Sequence, residues 1–226
     1  MNEPLQAVRV WDLPTRIFHW LLALCVVGSV VSAKIGGNAM AWHFRFGYVV
    51  FTLLAFRLLW GWVGGRWSRF NAFAYTPATT LRYLRGDTRP HEHLDVGHNP
   101  LGAFSVFALL ALLAAQVGTG LFADDDISNT GPLIRLVSGA TSSLLTKWHK
   151  NFGQWLIITL VVLHVAAVLY YLMKKKQNLV RPMVTGDKWL SAGVPASRDH
   201  RRSRALAAGL ALACAALVAW LVSLGG

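Results

Sequence analysis

The sequence predicts an all-α integral membrane protein: a four-helix transmembrane bundle followed by a fifth, C-terminal transmembrane helix. Three observations predict it. The 226 residues are 54% hydrophobic and only 14% charged, too apolar for an ordinary soluble domain. Five apolar stretches, at residues 17–33, 41–63, 101–122, 149–173 and 205–224, each come close to the ~20 residues that cross a hydrocarbon core. Ten Trp, 11 Phe and 5 Tyr supply aromatic side chains of the kind that gather at membrane interfaces and against flat ligands.

Taken in order, the first stretch lacks a small-residue cleavage site and contains His19, so it reads as a retained span rather than a signal peptide. Between the second and third, Thr76-Pro77 opens and Gly86 closes a short surface helix. Residues 132–146 are mostly apolar, follow Asp124-Asp125-Asp126, and read as an interfacial helix lying on the membrane. No stretch reads as a separate soluble domain. Residues 1–190 are therefore expected to form the bundle, and 191–226 a cytoplasmic linker with the fifth span.

The formal charge of +12 does not point to nucleic acid, because the basic residues cluster in short loops between apolar spans. With the N-terminus inside, the inner segments hold Arg9, Arg16, Arg66, Arg69, Arg82, Arg85 and Arg89. They also hold Lys174, Lys175, Lys176, Arg181, Lys188, Arg198, Arg201, Arg202 and Arg204. The outer segments hold only Lys34, Arg135, Lys147 and Lys150. Positive charge favours the cytoplasmic side, so the N-terminus is expected inside and the C-terminus extracytoplasmic.

Four histidines lie in the spans. Trp42-His43-Phe44-Arg45-Phe46-Gly47 recurs as Trp148-His149-Lys150-Asn151-Phe152-Gly153, with Gly one helical turn after each histidine. A glycine there leaves a notch where a flat ring can lie against bare backbone. His19 has Ala23 four residues on, and His164 has Ala167 three on. An ionisable residue inside a span marks a functional site, and imidazole is a common haem-iron ligand. A lone histidine in a span is more often a hydrogen-bonded packing residue, but four beside small residues weigh toward ligation. The bundle is accordingly expected to hold two haems, each between two histidines.

Orientation pairs them. His43 and His149 fall at the outer face, His19 and His164 toward the inner one. The 15-residue step from His149 to His164 spans about 22 Å with a turn of about 60° on a regular helix. Arg57, 14 residues after His43, falls about 21 Å along its helix and about 40° off the same face. It can meet a propionate of the inner haem there, or snorkel to the headgroups. Arg16 can serve the same haem from the first span. Cys25 and Cys214 lie inside apolar stretches and no Cys-X-X-Cys-His motif exists, which disfavours covalent haem and disulfides. His91, His93, His98 and His200 read as solvated loop residues, with His91-Glu92-His93 as a metal-binding alternative. Met40, Met173 and Met183 are further axial candidates that the histidines make unnecessary.

Asp12-Leu13-Pro14-Thr15-Arg16-Ile17-Phe18-His19-Trp20, Trp42 to Gly47, Phe56-Arg57-Leu58-Leu59-Trp60-Gly61, Asn99-Pro100-Leu101-Gly102 and His149 to His164 resemble the bacterial cytochrome b561 family. That family includes the cytochrome b subunits of nickel-iron hydrogenases. The resemblance covers about residues 8–188, and the fifth span departs from the family's four-helix core. It implies a bacterial inner-membrane protein with two haem b groups, and His19, His43, His149 and His164 match the family's ligands. It further implies electron transfer between a quinone pool and an extracytoplasmic redox protein, a c-type cytochrome or a hydrogenase. The alternative is a membrane-anchoring cytochrome b subunit of a nickel-iron hydrogenase or similar peripheral enzyme. Quinone-linked oxidoreductase activity of its own stays open, and a haem-free transporter or sensor is the weaker third reading. The long connection carrying Asp124, Asp125 and Asp126 overhangs the expected outer haem and is the expected docking surface for that partner.

Overall fold

The computed structural model describes residues 4–225 except 88, 90, 91 and 192. Its element order is β1 (Leu5–Arg9), α1 (Leu13–Ile35), α2 (Met40–Val63), α3 (Pro77–Arg85), α4 (Pro100–Gly120), α5 (Gly139–Lys147), α6 (Gln154–Met173), α7 (Val180–Thr185), β2 (Asp187–Ser191) and α8 (Arg201–Ser223). Five helical stretches are long and apolar enough to cross a membrane: α1, residues Gly37–Val63, α4, residues Gly139–Met173, and α8. The helical membrane fold is therefore borne out.

Helix starts follow local chemistry. Asp12 precedes α1, its Oδ1 accepting the Thr15 N–H at 2.8 Å, with Pro14 in the first turn. Asn99 does the same for α4, accepting the Gly102 N–H at 2.8 Å ahead of Pro100. The short helix expected after Thr76 is α3: Thr76 caps it, Pro77 begins it, and Gly86 ends it in the left-handed region at φ 76°.

Two expectations change. Residues 132–146 are not a separate interfacial helix. Ser138 accepts the Thr141 N–H and starts α5 at Gly139, and a π turn over Trp148–Gly153 joins α5 to α6. Apolar periodicity concealed the start because α5 is only mildly amphipathic and begins with small residues. The helices are also accompanied by a small sheet: β1 pairs antiparallel with β2, Leu5 opposite Ser191 and Arg9 opposite Asp187. In the expected linker, Pro195 and Ser197 are tied to earlier segments of the chain: the Trp67 indole donates to the Pro195 carbonyl and the Ser197 hydroxyl to that of Val10.

The chain divides into two compact units. The first comprises Met1–Phe18, Arg57–Phe107 and Leu163–Ala208. Val8, Val10, Trp11, Trp67, Val96 and Val194 form its apolar core. Beside them lies Asp12, completely buried, which accepts from the Trp60 indole, the Gly65 N–H and the Ser68 hydroxyl as well as Thr15. His98 is packed, not solvated: its ring centroid lies 4.7 Å from that of Trp11 and 4.6 Å from that of Phe73.

The second unit comprises His19–Phe56, Ala108–Val162 and Gly209–Gly226. In it Cys25 of α1, Val50 and Leu54 of α2, Leu113 of α4 and Ile157 of α6 meet in one core. The fifth span joins this unit through buried Cys214 and Val218, and shares a cleft with Tyr48, Val49 and Thr52 of α2.

Candidate functional site

His43 and His149 come together inside the second unit. Their ring centroids are 5.9 Å apart and their planes stand at 89°. Each ring is held by a neighbouring helix through the same nitrogen. The His43 Nδ1–H donates to the Ser29 carbonyl of α1 at 2.9 Å, and the His149 Nδ1–H donates to the Gln116 carbonyl of α4 at 2.9 Å. A carbonyl only accepts, so Nδ1 carries the hydrogen in both rings. In a neutral imidazole Nε2 then keeps the lone pair. This is the arrangement of a ligating histidine, whose second nitrogen is fixed by a backbone carbonyl.

Two imidazoles spaced by one metal ion, at about 2 Å from each nitrogen, require a centroid separation near the one observed. Among the described residues no group of three or more His, Cys, Asp or Glu gathers that could hold a bare metal ion. A two-ligand site suits an iron that brings its own equatorial nitrogens. The backbone around the pair is close-fitted. At Gly120 a Cβ would stand 2.8 Å from His149 Cε1, and at Gly28 one would stand 2.7 Å from Phe46 Cε2. At Gly47 an added Cβ meets nothing within 4 Å, which keeps the face one turn after His43 bare. Gly153 behaves otherwise, against the symmetry of the two sequence motifs: a Cβ there would collide with the Gln116 side chain and the Trp148 ring. Its notch holds protein.

His19 and His164 are each half-buried, His19 on α1 with its ring edge-on to Trp20 at 5.0 Å and His164 on α6. The two arginines lie in the first unit. Arg16 donates to the Val184 carbonyl at 2.5 Å and lies 4.0 Å from Asp199. Arg57 is 3% exposed, so it does not snorkel to the surface. Its Nη2 donates to the Ser68 carbonyl at 3.0 Å, its guanidinium lies 4.6 Å over the Phe70 ring, and its buried Nη1 has no hydrogen-bond partner among the described residues. His91 lies outside the described residues, so the His91-Glu92-His93 alternative does too.

Sequence reasoning missed Ser29, Gln116 and Gly120. Ser29 contributes only a carbonyl, which no residue pattern advertises. Gln116 carried a signal, being the one amide side chain in α4.

Residues 10–186 match the prokaryotic cytochrome b561 family. The chain belongs to this family. It is 28% identical to the probable Ni/Fe-hydrogenase B-type cytochrome subunit of Cupriavidus necator, over 82% of this chain and 88% of that protein. It is 26% identical to the probable Ni/Fe-hydrogenase 1 B-type cytochrome subunit of Escherichia coli K12, over 78% and 88%. It is also 26% identical to the probable Ni/Fe-hydrogenase B-type cytochrome subunit of Azotobacter vinelandii, over 80% and 88%. No solved structure matches the chain. This cytochrome b561 is therefore a membrane-bound b-type cytochrome of the bacterial inner membrane, with haem b as cofactor and electron transport as its role. The expected family and function are borne out, and the His43–His149 pair fits the group the family implies.

Proposed function

We propose that this cytochrome b561 holds two haem b groups, each between two histidines, and moves electrons between a quinone and a redox partner on the outer side of the membrane. One observation carries the reading: two imidazoles, each locked by its Nδ1 onto a backbone carbonyl, with ring centroids 5.9 Å apart. His43 and His149 are the outer ligands, His19 and His164 the inner ones.

When bound, haem supplies a one-electron centre in a low-dielectric site. The chain's residues do the rest. The Ser29 and Gln116 carbonyls hold the rings so that neither side chain has to reorganise when charge changes. His43 and His149 would hold the group from both sides, which would leave no open position for oxygen and would favour outer-sphere transfer. Arg57 offers the unpartnered Nη1 to an anionic group such as a propionate, with Arg16 as a second cation.

The relatives' names favour a nickel-iron hydrogenase as the partner over a c-type cytochrome, so the second reading, a hydrogenase-anchoring cytochrome b subunit, stays beside the first. The N-terminus is cytoplasmic and the C-terminus extracytoplasmic on this reading, which the clustering of basic residues supports.

The test is haem stoichiometry in purified single variants. His43→Ala or His149→Ala should halve the haem-to-protein ratio and leave one spectrum behind. His19→Ala or His164→Ala should halve it and leave the other. A ratio unchanged in any folded variant overturns that ligand. Co-purification separates the partners, a hydrogenase large subunit being expected.

A further inference from the structure

We infer that Gln116, on the one helix of the four-span core that carries no histidine, is the positioning residue that sets the orientation and donor strength of His149. This rests on the reading of His149 as a haem ligand.

Gln116 grips His149 twice. Its carbonyl accepts the ring Nδ1–H at 2.9 Å, and its side-chain Nε2 donates to the His149 carbonyl at 2.9 Å. The two bonds do different things. The first fixes the tautomer and the tilt of the ring. The second satisfies a carbonyl inside the π turn over Trp148–Gly153, where the ordinary α-helical pairing is interrupted. Such turns are rare and persist where a specific contact supports them. Here the amide of Gln116 is that contact.

Two glycines shape the grip. Gly120, one turn after Gln116, lets α4 approach the ring, since a Cβ there would stand 2.8 Å from His149 Cε1. Gly153, one turn after His149, gives the Gln116 side chain its place. Thr119 Oγ1 lies farther from His149 Nδ1, at 3.4 Å, and is a secondary contact. Across the site the hold on His43 is simpler: the Ser29 carbonyl takes its Nδ1–H.

Two electronic consequences follow. An imidazole whose N–H is held by a carbonyl is a stronger donor, which stabilises the oxidised metal and lowers the reduction potential. Ligand planes near 90° also bring the two metal dπ orbitals close in energy. That gives a low-spin resonance spectrum of high anisotropy, with its largest g value well above that of parallel ligands.

The experiment uses the haem-loaded protein purified in detergent, with electron paramagnetic resonance of the oxidised form and a potentiometric titration. Gln116→Met keeps the length of the side chain and removes the donor. Gly120→Ala pushes the ring from the other side. Both should reduce the largest g value of the outer haem, with the inner haem unchanged; Gly120→Ala, which pushes the ring off the Gln116 carbonyl, should also raise its potential. Loss of the outer haem alone is the same result in stronger form. Unchanged spectra and potentials in both variants overturn the proposal, as does an equal loss of both haems, because the grip is local. His149→Ala separates the two claims: if it keeps both haems, the ligand reading fails, whatever Gln116 does.

Discussion

Asp12 shows how one buried side chain can organise a membrane protein's end. It is 0% exposed and accepts from Thr15 N–H, the Trp60 indole, Gly65 N–H and the Ser68 hydroxyl. Removing it strands four buried donors, each costing about 1–3 kcal/mol. Asp12→Ala should therefore destabilise the protein by roughly 3 kcal/mol or more, read as a fall in thermal midpoint, while Asp12→Asn recovers part of it. A midpoint unchanged in Asp12→Ala would mean that water replaces the carboxylate at no loss. Arg57 sits in the same network, donating to the Ser68 carbonyl. A unit charge close to a redox centre shifts its energy by about 1–4 kcal/mol at an effective dielectric near 20. On the reading that it serves the inner haem, Arg57→Leu should lower that haem's potential and leave the outer one alone, whereas Arg57→Lys should largely preserve it. An unchanged inner potential in Arg57→Leu would confine Arg57 to packing against Ser68 and Phe70.

At the scale of elements, long apolar runs were legible because a span must be both continuous and about 20 residues long. α1, α2, α4 and α8 accordingly begin and end within a few residues of their expected bounds. Thr76, Pro77 and Gly86 gave α3 for the same kind of reason: cap chemistry is local. Pairing between distant segments is not. β1 and β2 are separated by almost the whole chain, and nothing in either five-residue run announces the other. The π turn was equally hidden, and the 100° step used to relate His149 to His164 does not hold through Trp148–Gly153. The histidines themselves stood out because ionisable groups are rare in spans, while the carbonyls that orient them have no sequence signature. One carboxylate ties several of the unexpected elements together. Asp199 accepts from the Leu13 N–H at the start of α1, and pairs with Arg9 of β1 and Arg204 of α8. Burial alone would raise its pKa, but the hydrogen bonds from Arg204 and Leu13 outweigh that and hold it below the usual carboxylate range. A depressed folded pKa means stability that is present above the unfolded value of about 3.9 and lost as pH falls through the folded one. Amide exchange at Leu13 should thus accelerate as pH drops below about 4, after correction for intrinsic rates. Asp199→Asn should abolish that dependence. A Leu13 amide equally protected at all acid pH values would release Asp199 from this role.

Over the whole molecule, charge is partitioned with the fold. Lys34, Arg45, Arg135, Lys147 and Lys150 are the five basic residues in the second unit, and the other 17 of 22 lie in the first. The second unit also holds the histidine pair and the 121–133 connection, so a partner that exchanges electrons with the His43–His149 site is expected to meet this connection. Its acidic triplet is not a uniform solvated patch. Asp125 accepts from the N–H groups of Ile127, Ser128 and Asn129 and from the Asn129 amide, which hold its carboxyl far below the usual range, the Asn129 bonds most of all. It is the knot of the loop, and replacing it would disturb the fold rather than the surface charge. Asp124 and Asp126 instead line a cavity of about 480 Å³ together with Lys147, Lys150 and Asn151. Ile127, 89% exposed, and Leu136, 70% exposed, add apolar contact area on the same connection and just beyond it. Rim charges act on the encounter rate, and salt screens them over about 10 Å at 0.1 M. Electron transfer to the partner should therefore slow as salt rises. Asp126→Asn, which spares the knot, should slow it at low salt and flatten the salt dependence, leaving haem content and thermal midpoint unchanged. Ile127→Ser should slow it at every salt concentration, because apolar contact is not screened. Rates indifferent to both substitutions would place the partner's docking surface elsewhere on the molecule.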